Sequence, residues 1–87
     1  SAQFPAVRDT VLGRCAMCHS DEPYYDGVYM APKGVVLETD AEIAKHAREI
    51  YLQAGRSHAM PPGNVTQISP EERQLLANWF EEAQKVR

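Results

Sequence analysis

The chain has little of what marks most functional classes. No apolar run approaches the roughly 20 residues needed to cross a bilayer, so this segment is not expected to insert into a membrane. There is no excess of base: nine Lys and Arg stand against twelve Asp and Glu, a formal net charge of −3. A phosphate-binding domain is normally basic, which argues against nucleic acid as a partner. Internal repeats and low-complexity tracts are absent, and no acid–base constellation or nucleophile beside a base stands out. There are only two cysteines. A zinc site built on them needs two further ligands, and His46 and His58 could complete such a set only at a spacing that fits no familiar finger. The chain is also short: 87 residues make one domain with a small core, and a core of that size usually needs a staple. The 44% apolar content excludes general disorder.

What is present is Cys15-Ala16-Met17-Cys18-His19. Two cysteines two residues apart, followed directly by histidine, form the attachment pattern of a c-type haem. Each thiol adds across one vinyl group, and the short turn matches the distance between the vinyls. His19 then lies beneath the ring, where an imidazole nitrogen binds the iron. Covalent haem would be the staple that the small core requires. The competing readings are a redox disulfide and half of a metal site. A thioredoxin-like motif should open a helix after a strand, and no such strand precedes Cys15.

The remaining pattern predicts an all-α domain spanning 1–87, with three helical stretches and two loops. The first runs from about Pro5 to Gly13 or into the motif, with Phe4, Val7, Val11, Leu12 and Cys15 on one face and Pro5 tolerated in the first turn. The second opens on a capping box, Thr39 with Glu42. It carries the stripe Ile43, Ala44, Ala47, Ile50, Tyr51 and Ala54, and it stops at Gly55. The third has Ser69 as N-cap, Pro70 at the first helical position and Glu72 as the reciprocal cap. Its buried face is Leu75, Leu76, Trp79, Phe80 and Ala83, with Lys85 and Arg87 suited to the C-terminal dipole. Between the first two lies a long loop, 20–38, with a brief extended piece at Val35-Val36-Leu37. A loop of that length usually serves a ligand; here it would wrap one edge of the haem. Asp21, Glu22, Asp26, Tyr24 and Tyr25 read as a polar haem-edge loop, and Asp40, Glu42 and Glu49 as a solvated helix face.

An iron held by His19 needs a second axial ligand or keeps an open position. The candidates are Met60, Met30, Met17, His58 and His46. Met60 fits best, because Pro61 and Pro62 stiffen its loop and Gly63 permits a sharp turn. A thioether favours ferrous iron and raises the reduction potential. His58, two residues away, is the rival and would lower it. Met17 lies inside the motif turn, Met30 suits haem packing, and His46 reads as a boundary histidine. A lone methionine is otherwise core filler. A ligating histidine usually gives its free ring N–H to a carbonyl. The turn Ala31-Pro32-Lys33-Gly34 could supply one, or Pro32 could simply shape the loop.

With these residues in view, the chain resembles the class I cytochromes c over nearly its whole length. The resemblance implies a helical fold around one covalent haem c, with the first and last helices crossing. It implies thioethers at Cys15 and Cys18, His19 and Met60 as axial ligands of the iron, Pro32 as the carbonyl acceptor for His19, and Trp79 at the crossing. Val7 and Val11 stand where that family often has a glycine and an aromatic, so the crossing should pack differently. More narrowly, Phe4-Pro5-Ala6-Val7-Arg8, Arg14 through His19, Ala31 through Val35 and His58 through Thr66 resemble the C-terminal cytochrome domain of bacterial membrane-bound urate oxidases.

The function implied is one-electron transfer rather than catalysis by this segment. Electrons would come from an upstream membrane oxidoreductase domain, which in the narrower family is thought to oxidise urate. They would leave to another cytochrome or a terminal oxidase. Attachment of haem c normally takes place outside the cytoplasm, so the expected location is the periplasm, with an export signal or a membrane-anchored domain preceding Ser1. The isolated domain is expected to be a monomer. The alternatives are a free-standing periplasmic carrier, and a sensor or peroxidase-like haem from which Met60 is displaced.

Overall fold

Local capping explains where the helices begin. In the computed structural model, which describes residues 2–85, α1 spans Phe4–Arg14, α2 Asp40–Lys45, α3 Ala47–Ile50 and α4 Pro70–Lys85. Arg87, expected at the C-terminal dipole, lies outside the described residues. Among those residues there is no strand, so the all-helical class is as expected. Both capping boxes form. Glu42 N–H donates to Thr39 Oγ1 at 3.2 Å while Thr39 N–H donates to Glu42 Oε1 at 3.0 Å. The same exchange joins Ser69 and Glu72, at 2.8 and 3.0 Å, and satisfies donors that a helix start leaves without partners.

The second expected helix is divided. At His46 the backbone leaves helical geometry (φ −101°, ψ 20°), which separates α2 from α3. After Ile50 the chain widens into a π-helical turn, Tyr51–Gly55, closed by Arg56 N–H to Tyr51 O at 2.7 Å. Such turns arise where the ordinary ladder is interrupted. The carbonyls released here find other donors: Leu52 O takes the Ser57 hydroxyl, Gln53 O the Met60 amide and Ala54 O the Arg73 guanidinium. Gly55 allows the turn to lie against α4, since a Cβ there would sit 3.0 Å from the Ala77 backbone nitrogen.

α1 and α4 pack antiparallel. Phe4, at the start of α1, meets Trp79 with ring centroids 5.9 Å apart and planes tilted by 51°, and Arg14, at its end, reaches Glu72 at the start of α4. Val7 and Val11 are fully buried and join Leu37, Ile43, Ile50, Ala54, Ile68, Leu76 and Trp79 in one core. The crossing therefore rests on a tilted aromatic pair at one end and two valines behind it. The buried stripes are narrower than the apolar spacing predicts: Ala44 and Ala83 are exposed. Tyr51 and Phe80 are half-buried and stack on each other, 4.5 Å between centroids. Asp40 is not merely solvated, because it receives two bonds from the Arg8 guanidinium, at 2.7 and 3.1 Å. The radius of gyration, 12.2 Å, matches the ~12 Å expected of a folded chain of this length.

Candidate functional site

The cysteine motif continues α1 by one turn. Cys15 N–H still donates to Val11 O at 2.8 Å, and Cys15 O accepts from Cys18 N–H at 3.2 Å and His19 N–H at 2.9 Å. Residues three and four apart on such a turn share a side, which brings Cys15, Cys18 and His19 together. The turn is anchored from behind. Arg14 Nη1 donates to Thr66 O at 2.8 Å, the Thr66 hydroxyl donates to Arg14 O at 2.7 Å, and Arg14 Nε meets Glu72 Oε1 at 3.2 Å.

His19 is fixed at two points by the extended piece of the long loop. Leu37 N–H donates to His19 O at 2.7 Å, and His19 Nδ1 lies 2.9 Å from Val35 O. A carbonyl only accepts, so Nδ1 carries the proton and Nε2 of the neutral ring keeps its lone pair. The acceptor corrects the expectation placed on Pro32. In the turn Pro32–Gly34 the chain reverses with Lys33 at φ 56°, and the carbonyls of Ala31 and Pro32 are taken by the amides of Gly34 and Val35. Val35 is the next residue, and its carbonyl accepts from the ring.

An open cleft of about 240 Å³ brings Cys15, His19, Pro32 and Met60 to one place, walled by Val35, Leu37, Ile50 and Ala54. Met60 is half-buried and held on both sides: its amide donates to Gln53 O at 2.8 Å, and its carbonyl accepts from Arg73 Nη1 at 2.9 Å. Beyond it the chain turns through Gly63 and Asn64, both at positive φ. Asn64 holds that turn by exchanging two bonds with the Ile68 backbone, at 2.9 and 3.2 Å. Three of the other ligand candidates, His58, Met30 and Met17, do not line this cleft. His58 is exposed and lines a separate cavity of about 340 Å³ beside Asn64 and Arg73. Met30 is 77% exposed, and neither it nor Met17 lines the cleft. Cys18 is half-buried and does not line it either.

His46 is more than a boundary residue. It lines the cleft and pairs with Glu49 Oε2 at 2.9 Å, and Glu49 lines the cleft as well. The sequence reading missed this pair along with Val35, Asn64 and Arg73. Arg73 carried a signal, because it stands three and four residues before Leu76 and Ala77 on the stripe that α4 buries.

The thiols are poorly suited to thiolate chemistry. Burial, with Cys18 nearby, pushes the Cys15 thiol up to about 11, and burial also raises Cys18. Reactive disulfide-exchange cysteines are shifted the other way. Among the described residues no three His, Cys, Asp or Glu side chains gather as a metal cluster.

Glu72 makes the anchor of the motif sensitive to pH. Burial pushes its carboxyl up, but bonds from the Ser69 amide and the Arg14 guanidinium outweigh that and hold it below its ordinary value. A carboxyl lowered by folding stabilises above its unfolded pKa, and that contribution is lost as pH falls through the folded value. Glu72→Gln keeps a capping oxygen but removes the charge. Urea unfolding should show a loss of about 1 kcal/mol at neutral pH, shrinking below about pH 4 as the wild-type carboxylate protonates. A deficit unchanged at low pH would show that the charge is not what matters. No family model matches the chain, and neither a curated protein nor a solved structure does.

Proposed function

We propose that the chain is a one-electron carrier with a class I cytochrome c fold, built around one haem c bound through Cys15 and Cys18 and ligated by His19 and Met60. The observation that supports this reading best is the cleft itself. An imidazole whose Nδ1 is committed to a carbonyl shares that apolar cleft with a thioether and the first motif thiol. The donor set suits haem c: two thiols one helical turn apart, a nitrogen donor oriented by its own hydrogen bond, and a sulfur donor from another segment. The 240 Å³ cleft is open, as a site for a large flat group with one exposed edge should be.

A bound haem c supplies a one-electron iron couple whose potential follows from the axial donors. The protein's part is to hold the donors still. The Val35 carbonyl fixes the ring of His19, and Leu37 N–H fixes its backbone. Val35, Leu37, Ile50 and Ala54 exclude water from that side, which favours the less charged state of the site. The donor would be an upstream membrane oxidoreductase domain of the urate oxidase kind, and the acceptor another cytochrome or a terminal oxidase, with this domain itself in the periplasm. This narrower reading rests on the resembling stretches of sequence. Several membrane-spanning helices encoded before Ser1 would support it, and a lone export signal would support a free carrier instead.

The direct test is production with an export signal and a competent haem-attachment system. The expected product is red, has the mass of the polypeptide plus one haem, and shows in the ferric state the weak far-red band of iron–thioether ligation. Its ferrous form should not bind carbon monoxide. A colourless product with the mass of the bare chain would end the proposal. A coloured product that binds carbon monoxide readily would favour a sensor or catalytic haem.

A further inference from the structure

Arg73 is only 7% exposed. Its Nη1 donates to three backbone carbonyls, those of Ala54 at 2.9 Å, Ser57 at 3.1 Å and Met60 at 2.9 Å. Taking a guanidinium out of water is unfavourable unless acceptors compensate it, and these carbonyls do. One nitrogen has two hydrogens, so one is shared among the three oxygens. The acceptors come from the end of the π-helical turn, the middle of the following loop and the methionine of the cleft. A single nitrogen from α4 therefore gathers the segment 54–60 against that helix.

We infer that Arg73 is a positioning residue for Met60: its grip on the Met60 carbonyl, opposite the grip of Gln53 on the Met60 amide, sets how readily an outside ligand displaces the thioether. This rests on the reading of the cleft as a haem site with Met60 as a ligand. An outward swing of the loop that carries the sulfur away gives up the charge-assisted bonds to the carbonyls of Ala54, Ser57 and Met60. Such bonds are about twice as strong as neutral ones. Lysine at this position keeps the charge but lacks the planar fork. Methionine keeps the length and supplies no donor.

The test is imidazole titration of the ferric holoprotein, followed through the far-red band, for wild type, Arg73→Lys, Arg73→Met and the control Ile43→Val. Ile43 is fully buried in α2, so its truncation lowers stability without touching the loop. Imidazole affinity should rise about tenfold in Arg73→Met, the scale of one lost charge-assisted hydrogen bond, and less in Arg73→Lys. Ile43→Val should melt earlier yet bind imidazole as weakly as wild type. If both Arg73 variants also bind it that weakly, the inference is wrong. If neither variant folds, the wild type decides through nitrogen-15 NMR of the guanidinium. Slowly exchanging, resolved Nη protons support the clamp, and averaged, rapidly exchanging ones overturn it. A wild type without haem or without the far-red band defeats the underlying reading instead. An intact band with unmoved imidazole affinity defeats only the role of Arg73.

Discussion

Cys15→Ala should leave a protein that captures haem poorly and folds poorly, and Cys15→Ala with Cys18→Ala should release in acidified organic solvent whatever haem it holds. Two effects combine at Cys15. Its side chain packs against the apolar core to which α1, the 35–37 segment, α2, α3 and α4 all contribute, so truncation leaves a void in a core already small for 87 residues. It would also remove one of the two covalent ties to haem that the proposed function requires. Losing a covalent staple from a small domain typically costs about 2–5 kcal/mol, a large share of a total that is rarely above ~15 kcal/mol. The check is holoprotein yield, haem staining after denaturing electrophoresis, and thermal melting by circular dichroism. Full haem retention by the double variant in acid would remove the thioethers from the account.

Two neighbouring residues of α4 hold two different segments that line the cleft. Glu72 takes Arg14, and through it the turn that carries Cys15, Cys18 and His19. Arg73 takes the carbonyl of Met60. The start of α4 thus fixes the separation between the two candidate axial donors. The reciprocal bond between Ser69 and Glu72 makes that start a sharply defined point in the chain. The electron transfer proposed for the site would gain from such rigidity, because a donor set that does not rearrange between redox states adds little to the barrier.

Much of this could be read from the chain because it is local. The capping boxes at Thr39 and Ser69 involve residues three apart, and no tertiary contact is needed to see them. The motif turn at Cys15 and the sharp turn at Gly63 are local too. What escaped depends on where the chain returns. The carbonyl that receives His19 is Val35 rather than Pro32, because the turn at Lys33 and Gly34 uses the two earlier carbonyls internally. The break at His46 escaped because the apolar spacing runs through it without interruption. Arg73 escaped because a charged residue on an apolar stripe is usually assigned to solvent. Only the fold shows three carbonyls converging there.

Met60→Ala should change the chemistry of the site while leaving most of the fold in place. Met60 is half-buried and lies outside the core cluster. Its backbone ties to Gln53 and Arg73 do not depend on its side chain, so the loop keeps its course when the thioether is removed. The cleft then offers the His19 imidazole without the Met60 thioether. Among the described residues His46, with Glu49 as its partner, is the remaining imidazole on the cleft wall, whereas His58 opens into a different cavity. The variant should lose the far-red band, bind carbon monoxide in the ferrous form and show a lower reduction potential. The drop should be on the order of 100–200 mV, a fraction of the roughly 0.8 V over which axial ligands set haem potentials. Its melting temperature should fall modestly, since little apolar area is given up. Adding His46→Ala separates two outcomes. If the single variant still refuses carbon monoxide and the double variant accepts it, His46 has moved in as a substitute. If Met60→Ala keeps the wild-type spectrum and potential, the thioether never faced the iron, and the proposed ligand pair fails.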